Sequence, residues 1–393
     1  MSAAELDLRM PAEWEPHAAT WLAWPHYRGD WPGKFEPIPW VYSEIIRNVA
    51  KHERVELIVN NAAAARQARR VLERAGALSK NIRFHRWRTD RVWLRDSGCI
   101  FVKPQIPGLA TTAGPFDELR AGSGAPPFSG ETREVRALKF RFNAWAKYSN
   151  WRKDDKVGSL MAKVSDPTLR KPRRVGHLRN LKMGQPLEIH PVSGGKRIVL
   201  EGGSIDVNGA GTILTTEECL LSKVQERNPH MTRVQYEKAF ADYLGAPHTI
   251  WLGRGIAGDD THGHVDDLSR FVAKDTVVTM LEPNTKDENH APLRANLRRL
   301  QAARDQDGRQ LHIVEIPMPQ PVIFEGRRLP ASYANFYIAN GIVLVPVFNC
   351  ANDRIALNTL GQVFPKREIV PIYSGDFIWG FGAMHCMTQQ QPE

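Results

Sequence analysis

The chain has 393 residues, 42% of them hydrophobic and 24% charged, which excludes disordered and fibrous classes and is ample for a buried core. Its formal charge of +10 invites a polyanionic partner, but the basic residues concentrate in Lys163 to Arg197, including Arg170-Lys171-Pro172-Arg173-Arg174. The stretches around Asp96, Glu201 and Asp259 to Asp267 are acidic or mixed, and no nucleic-acid module is recognisable, so a solvated basic loop is favoured over a nucleic-acid surface.

In chain order, strand-length apolar runs occur at Val55 to Val59, Ile100 to Val102, Ile198 to Leu200, Thr212 to Thr215, Val277 to Leu281 and Ile342 to Val347. Helix-period segments lie between several of them, at Ala62 to Gly76, Thr232 to Leu244 and Ala291 to Ala303. Alternation of this kind predicts an α/β fold. No glycine fingerprint follows a strand and opens a helix, so a dinucleotide-binding Rossmann site is not expected. No run approaches the ~20 apolar residues of a membrane span, and the N-terminus lacks a basic region followed by an apolar one, so a cytoplasmic protein is expected. Cys99, Cys219, Cys350 and Cys386 stand far apart, as free thiols in a reducing compartment do. The chain reads as a single domain over 1–393 with two elaborations: a Gly/Pro-rich stretch, Pro104 to Glu131, and a basic one, Ser165 to Pro191. No internal repeat is visible in the motifs.

Four polar clusters stand out. The first is Gly258-Asp259-Asp260-Thr261-His262-Gly263-His264-Val265-Asp266-Asp267. If extended, it turns His262, His264 and Asp266 to one face, which suits either a metal, with Cys386 as a fourth ligand, or acid–base work. The second is Gly380-Phe381-Gly382-Ala383-Met384-His385-Cys386, where small residues precede a thiol that is either a nucleophile or a buried structural cysteine. The third, Asp90-Arg91-Val92-Trp93-Leu94-Arg95-Asp96-Ser97-Gly98, reads on its own as a surface ion pair. The fourth, Leu200-Glu201-Gly202-Gly203-Ser204, reads on its own as a turn.

Together the four resemble the agmatine deiminase family, in that family's order: Asp96 in Trp-x-Arg-Asp-x-Gly, Glu201 in Glu-Gly-Gly-Ser, His264 and Asp266 in Gly-His-Val-Asp, and Cys386 in His-Cys-x-Thr-Gln-Gln. Met10 to His17, Phe140 to Trp145, Leu214 to Leu220 and Pro330 to Tyr337, which contains Asn335, are also similar to it, so the resemblance runs from about Met10 to Pro392. The family is related to bacterial peptidylarginine deiminases within the guanidino-group-modifying superfamily. The resemblance implies a pseudo-fivefold α/β propeller of strand–helix units around a central site, hydrolysing agmatine to N-carbamoylputrescine and ammonia. It implies Cys386 as nucleophile, His264 as acid and base, Asp96 and Asp266 on the guanidinium and Glu201 beside His264, with Trp93, Asp260 and Asn335 on the substrate. It implies no cofactor and no metal, a small-molecule guanidine as partner, and no membrane; a homodimer is the default for a soluble enzyme.

The sequence departs from the family at Asp260-Thr261-His262-Gly263-His264, where better-known members have Glu-Thr-Asn-Gly-His, at Gly382-Ala383-Met384-His385-Cys386, where they have Gly-Gly-Asn-Ile-His-Cys, and at Cys99, where proline is usual. Asp260 with Trp93 is expected to serve agmatine's terminal amine through charge and a cation–π contact. The alternative, arginine or a peptidyl-arginine, calls for a cation near the pocket, for which Arg254 and Arg270 are the candidates.

Overall fold

The computed structural model describes residues 8–105, 135–165 and 188–393. Most of both predicted elaborations, 104–131 and 165–191, lies outside these residues. The described residues form five sheets of three or four strands and two small hairpins, a mixed α/β architecture. Every predicted strand but one is present; Ile198 to Leu200 makes only an isolated bridge, Val199 to Arg141. The three predicted helices appear as Ala62–Arg74, Arg233–Leu244 and His290–Ala302. Asn61 and Thr232 cap the first two by accepting hydrogen bonds from amides of the first turn, which fixes where each begins. Gly245, at φ 63°, ends the second in the left-handed conformation that a Cβ would strain.

The topology repeats. In three of the sheets a first strand pairs antiparallel with its successor, a helix follows, and the next strand returns parallel: Ile205–Val207, Thr212–Thr216 and His248–Leu252; Ser269–Ala273, Thr276–Leu281 and His312–Pro317; Tyr337–Ala339, Ile342–Val347 and Glu368–Tyr373. A fourth sheet follows the pattern with Ile100–Pro104, Arg136–Leu138 and Glu188–Ile189, and adds Leu8–Arg9 at its edge. The fifth is closed from the two ends of the chain: Gln389–Pro392 pairs antiparallel with His17–Ala23, and Arg54–Val59 and Ile82–Arg86 continue parallel.

A short helical turn precedes the first strand of every unit: Leu94–Ser97, Gly202–Ser204, Val265–Asp267, Tyr333–Asn335 and Met384–Met387. Each carries, or directly follows, a residue singled out from the sequence. The sequence hid this repeat because the five turns share a position in the unit but no residue type. The largest apolar cluster joins the fifth-sheet strands to the Tyr337–Ala339 sheet and holds Trp21, Trp24, Trp31 and Tyr42, each at most 2% exposed. No helix among the described residues is long and apolar enough to cross a membrane.

Candidate active site

The five turns bring Asp96, Glu201, His264, Asp266, Asn335 and Cys386 into one buried cluster. The decapeptide that supplies two of them is not extended. Asp259 accepts hydrogen bonds from the amides of Thr261 (2.7 Å), Gly263 (2.6 Å) and His264 (3.2 Å), which curls the segment around its carboxylate. Gly258, His262 and Gly263 take positive φ of 84°, 63° and 93°. The predicted common face of His262, His264 and Asp266 is therefore not formed: His262 points to the Ser222 hydroxyl, 3.1 Å away, and the metal set built on it is not assembled. Among the described residues the ligand types that do converge are Glu201, Cys219 and His264, all buried, but Arg227 ion-pairs with Glu201 at 3.2 Å and opposes a further cation there.

His264 is fully buried, with Nδ1 3.9 Å from an oxygen of both Asp96 and Asp266, and Nε2 3.9 Å from Glu201. These are ion-pair distances rather than hydrogen bonds, so both ring nitrogens, Asp266 Oδ1 and Glu201 Oε2 have no hydrogen-bond partner. Asp96 is held by the Trp145 indole (2.9 Å) and the Gly203 amide (3.0 Å). A Cβ on Gly203 would lie 2.5 Å from His264 Nδ1 and 3.0 Å from oxygens of Asp96 and Asp266, so only glycine lets the backbone come this close.

Cys386 is 4% exposed, its Sγ 3.0 Å from the Asn335 amide nitrogen and 3.6 Å from Asp266 Oδ2. Asn335 acts as a clamp: its oxygen accepts from the amides of Ala383, His385 and Cys386, and its nitrogen also reaches Asp267 (3.0 Å). It therefore sets the thiol's position from behind. Behind Asp266 lies a chain that the sequence reading did not pick out. His385 Nδ1 is 2.7 Å from Asp266 and its Nε2 2.8 Å from Glu13, and Glu13 ion-pairs with Arg95 (3.1 Å) and Arg270 (2.9 Å). Glu13 sits in the Met10 to His17 motif, which was its only signal.

Charge sets the protonation of the cluster. Burial, opposed by His264 and reinforced by Asp266 and Glu201, pushes the Asp96 carboxyl up to about 6. Burial raises Glu201 as well, but Arg227 and His264 outweigh it and bring it down to about 2. Burial works against the His264 cation, yet Asp96, with Cys219 and Glu201, holds it well above the usual imidazole range. Burial and the carboxylates of Asp266, Asp267 and Asp96 push the Cys386 thiol well up, in line with a protonated thiol in the free protein.

Asp96 and Cys386 of this cluster line a pocket of roughly 350 Å³, which also presents Trp93, Trp145, Tyr148, Asp260, Arg91 and Phe381. Trp93 and Asp260 thus line the same pocket as Asp96 and Cys386. Asp260 is not free, however: the Lys147 ammonium ion-pairs with it, Tyr148 donates to it (2.6 Å), and Arg327 stands 3.4 Å away. Neither arginine proposed for a substrate carboxylate lies on the pocket. Arg254 is largely in solvent beside Glu218, and Arg270 is sealed between Asp206 and Glu13.

Fold and site together define a mixed α/β protein whose pocket ends at a buried thiol and a carboxylate, with a buried imidazole and further acids in the same cluster. A family model of Porphyromonas-type peptidyl-arginine deiminases matches residues 9–392, and the chain belongs to that family. A curated relative, the agmatine deiminase of Pseudomonas aeruginosa (strain UCBPP-PA14), is 32% identical over 407 residues, covering 98% of this chain and 95% of its own. Among solved structures, the agmatine deiminase of Enterococcus faecalis superposes with a TM-score of 0.79 at 25% identity, over 100% of this chain and 98% of its own. A substrate-bound agmatine deiminase of C. jejuni does so with 0.76 at 26%, over 98% and 96%.

Proposed function

We propose that the protein is a hydrolase of a linear amidine, deiminating agmatine to N-carbamoylputrescine and ammonia through a covalent cysteine intermediate. The observation that carries this is the pair of acids, Asp96 and Asp266, both 3.9 Å from His264 Nδ1 beside the Cys386 thiol, with Asp266 Oδ1 buried and without a hydrogen-bond partner. Such carboxylates match the forked donors of a planar, permanently charged guanidinium and hold its carbon for attack. Agmatine is the guanidine named for the relatives, which supports it as substrate.

Bound between the acids, the guanidinium lowers the Cys386 thiol's proton affinity, reversing the effect of the surrounding carboxylates, and the thiol proton passes to solvent. The thiolate adds to the guanidinium carbon, the C–N bond breaks, and the nitrogen leaves as ammonia with a proton from His264. An amidino-thioether remains. His264 then takes a proton from water, the water oxygen adds to the same carbon, and the C–S bond breaks to release the thiolate and, as the added hydroxyl gives its proton to solvent, the ureido product. Glu201 and Arg227 hold His264 in place, and Trp93 and Asp260 line the way to the tail. A second reading, arginine or a peptidyl-arginine, is favoured by the cations around Asp260.

The five topologically equivalent units, each opening with a turn that bears or directly follows a site residue, support a pseudo-fivefold propeller around this pocket, in a single domain over 1–393 with insertions at about 104–131 and 165–191. Four free cysteines support a reducing, cytoplasmic setting. The test is release of ammonia and ureido product from agmatine, arginine and an arginyl peptide. Cys386→Ala is expected to lower turnover by at least about 10⁴-fold while still folding. Turnover that survives this substitution would overturn the covalent mechanism.

A further inference from the structure

Asn335 is 1% exposed and does not line the pocket, and its amide can lie only one way round. Oδ1 accepts from the backbone amides of Ala383 (3.1 Å), His385 (3.1 Å) and Cys386 (3.3 Å), and reversal would set an NH2 group against three N–H donors. Nδ2 is thereby turned to two acceptors, Asp267 Oδ1 and Cys386 Sγ, each 3.0 Å away. The turn that carries Asn335 is itself docked on the turn that carries Asp267: the Ser332 hydroxyl donates to the Asp267 carbonyl (2.8 Å) and accepts from the Ala334 amide (3.1 Å).

The sulfur otherwise faces negative charge. Asp266 Oδ2 lies 3.6 Å from it, and Asp267 and Asp96 add to the same field. His264 stands beyond Asp96 and Asp266, His385 belongs to the turn of Cys386 itself, and Asp260 and Arg91 line the pocket with the sulfur. Among the described residues the Asn335 N–H is the hydrogen-bond donor that reaches it. The amides of Ala383, His385 and Cys386 point at Asn335 Oδ1 instead. Their donation polarises the side-chain amide and strengthens its own N–H, so Asn335 passes their polarity on to the sulfur.

We infer that Asn335 is the donor to the Cys386 thiolate, a catalytic residue that serves the sulfur rather than the substrate. The sulfur carries negative charge twice in the proposed cycle, before the C–S bond forms and again when it breaks, so one N–H acts on both attack and release. Asp267 is the matching positioning residue: it takes the second amide hydrogen and leaves a single one for the sulfur. The inference rests on Cys386 as nucleophile, as proposed above.

The test exchanges the amide and the acid. Asn335→Asp combined with Asp267→Asn keeps the net charge, the bond between the two side chains and an oxygen for the three backbone amides, but turns an oxygen instead of an N–H to the sulfur. In this variant alkylation of Cys386 by iodoacetamide without substrate, followed by peptide mass, should shift to higher pH and be slower by about ten-fold or more at pH 8. Turnover of agmatine should fall by about 100-fold in kcat with KM little changed. Asp267→Asn alone keeps the donor and removes an acid, so its alkylation should move to lower pH. If the thermal midpoint shows that the exchange does not fold, Asn335→Ala should give the same upward shift, smaller because no acid is added. Thiolate ultraviolet absorbance, taken as the difference from Cys386→Ala protein, reads the same midpoint if no reagent reaches the sulfur. An exchanged variant with the profile of the unaltered protein overturns the inference, because a purely structural clamp uses only the oxygen. The shifted profile without hydrolysis of any guanidine by the unaltered protein upholds the donor to the sulfur and overturns the proposed chemistry.

Discussion

Two buried charge clusters lie back to back, sharing the contact between Asp266 and His385, and they are finished in opposite ways. In the rear cluster every Glu13 oxygen is used: Oε2 meets Arg95 and His385, and Oε1 takes the Ile338 amide at 2.9 Å and ion-pairs with Arg270, whose Nη2 makes no hydrogen bond. In the front cluster Asp266 Oδ1, Glu201 Oε2 and both His264 nitrogens lack hydrogen-bond partners. Unsatisfied buried groups cost stability, and they persist where a ligand completes them. The rear cluster is a mount, and the front one is a socket.

Substitutions should separate the two by sign. Asp96→Asn should cut kcat/KM by about 1,000-fold, because a buried charge partner of the guanidinium is lost. The same variant should not be destabilised without ligand, since the Asp96 carboxyl, raised to about 6, ionises at a cost in the folded state at pH 8. A large drop in the thermal midpoint of Asp96→Asn would erase the distinction. Glu13→Gln should instead cost about 3–5 kcal/mol in urea unfolding, because Arg95 and Arg270 are left buried without their shared counter-charge. An unchanged unfolding midpoint would show that the mount is not electrostatic.

The gentlest probe is pH. In the proposed reaction Asp96 is ionised when it takes the guanidinium, and burial raises it to about 6 in the free protein, so kcat/KM should fall about ten-fold per pH unit as pH drops below 6 and be independent of this group above it. In Asp96→Asn that acid limb should vanish or move. A limb that stays in place would assign it to another group.

Much of this was legible in the sequence, and the failures have physical causes. Strands such as Val277 to Leu281 and helices such as Arg233–Leu244 follow from apolar spacing and from the caps at Thr232 and Gly245. The acids and the thiol of the socket stood in motifs that carry their own turns. His262 was misplaced because Asp259 draws the following amides onto its carboxylate and two glycines with positive φ break the strand alternation. Arg270 was read as available because sequence alone does not count its partners, Asp206 and Glu13, which lie 64 and 257 positions away along the chain. Lys147 and Arg327 escaped for the same reason: Asp260 gathers them from distant segments, and a lone surface cation has no pattern.

The pairing of Gln389–Pro392 with His17–Ala23 has a consequence for biosynthesis. Synthesis runs from the N-terminus, so Asp96, Glu201, His264 and Asp266 have all left the ribosome before Cys386, and the strand that docks the thiol's turn emerges after Cys386 itself. A nascent or prematurely released chain thus holds the acids of the pocket without the sulfur of Cys386, and its His17–Ala23 strand keeps an open edge until Gln389–Pro392 arrives.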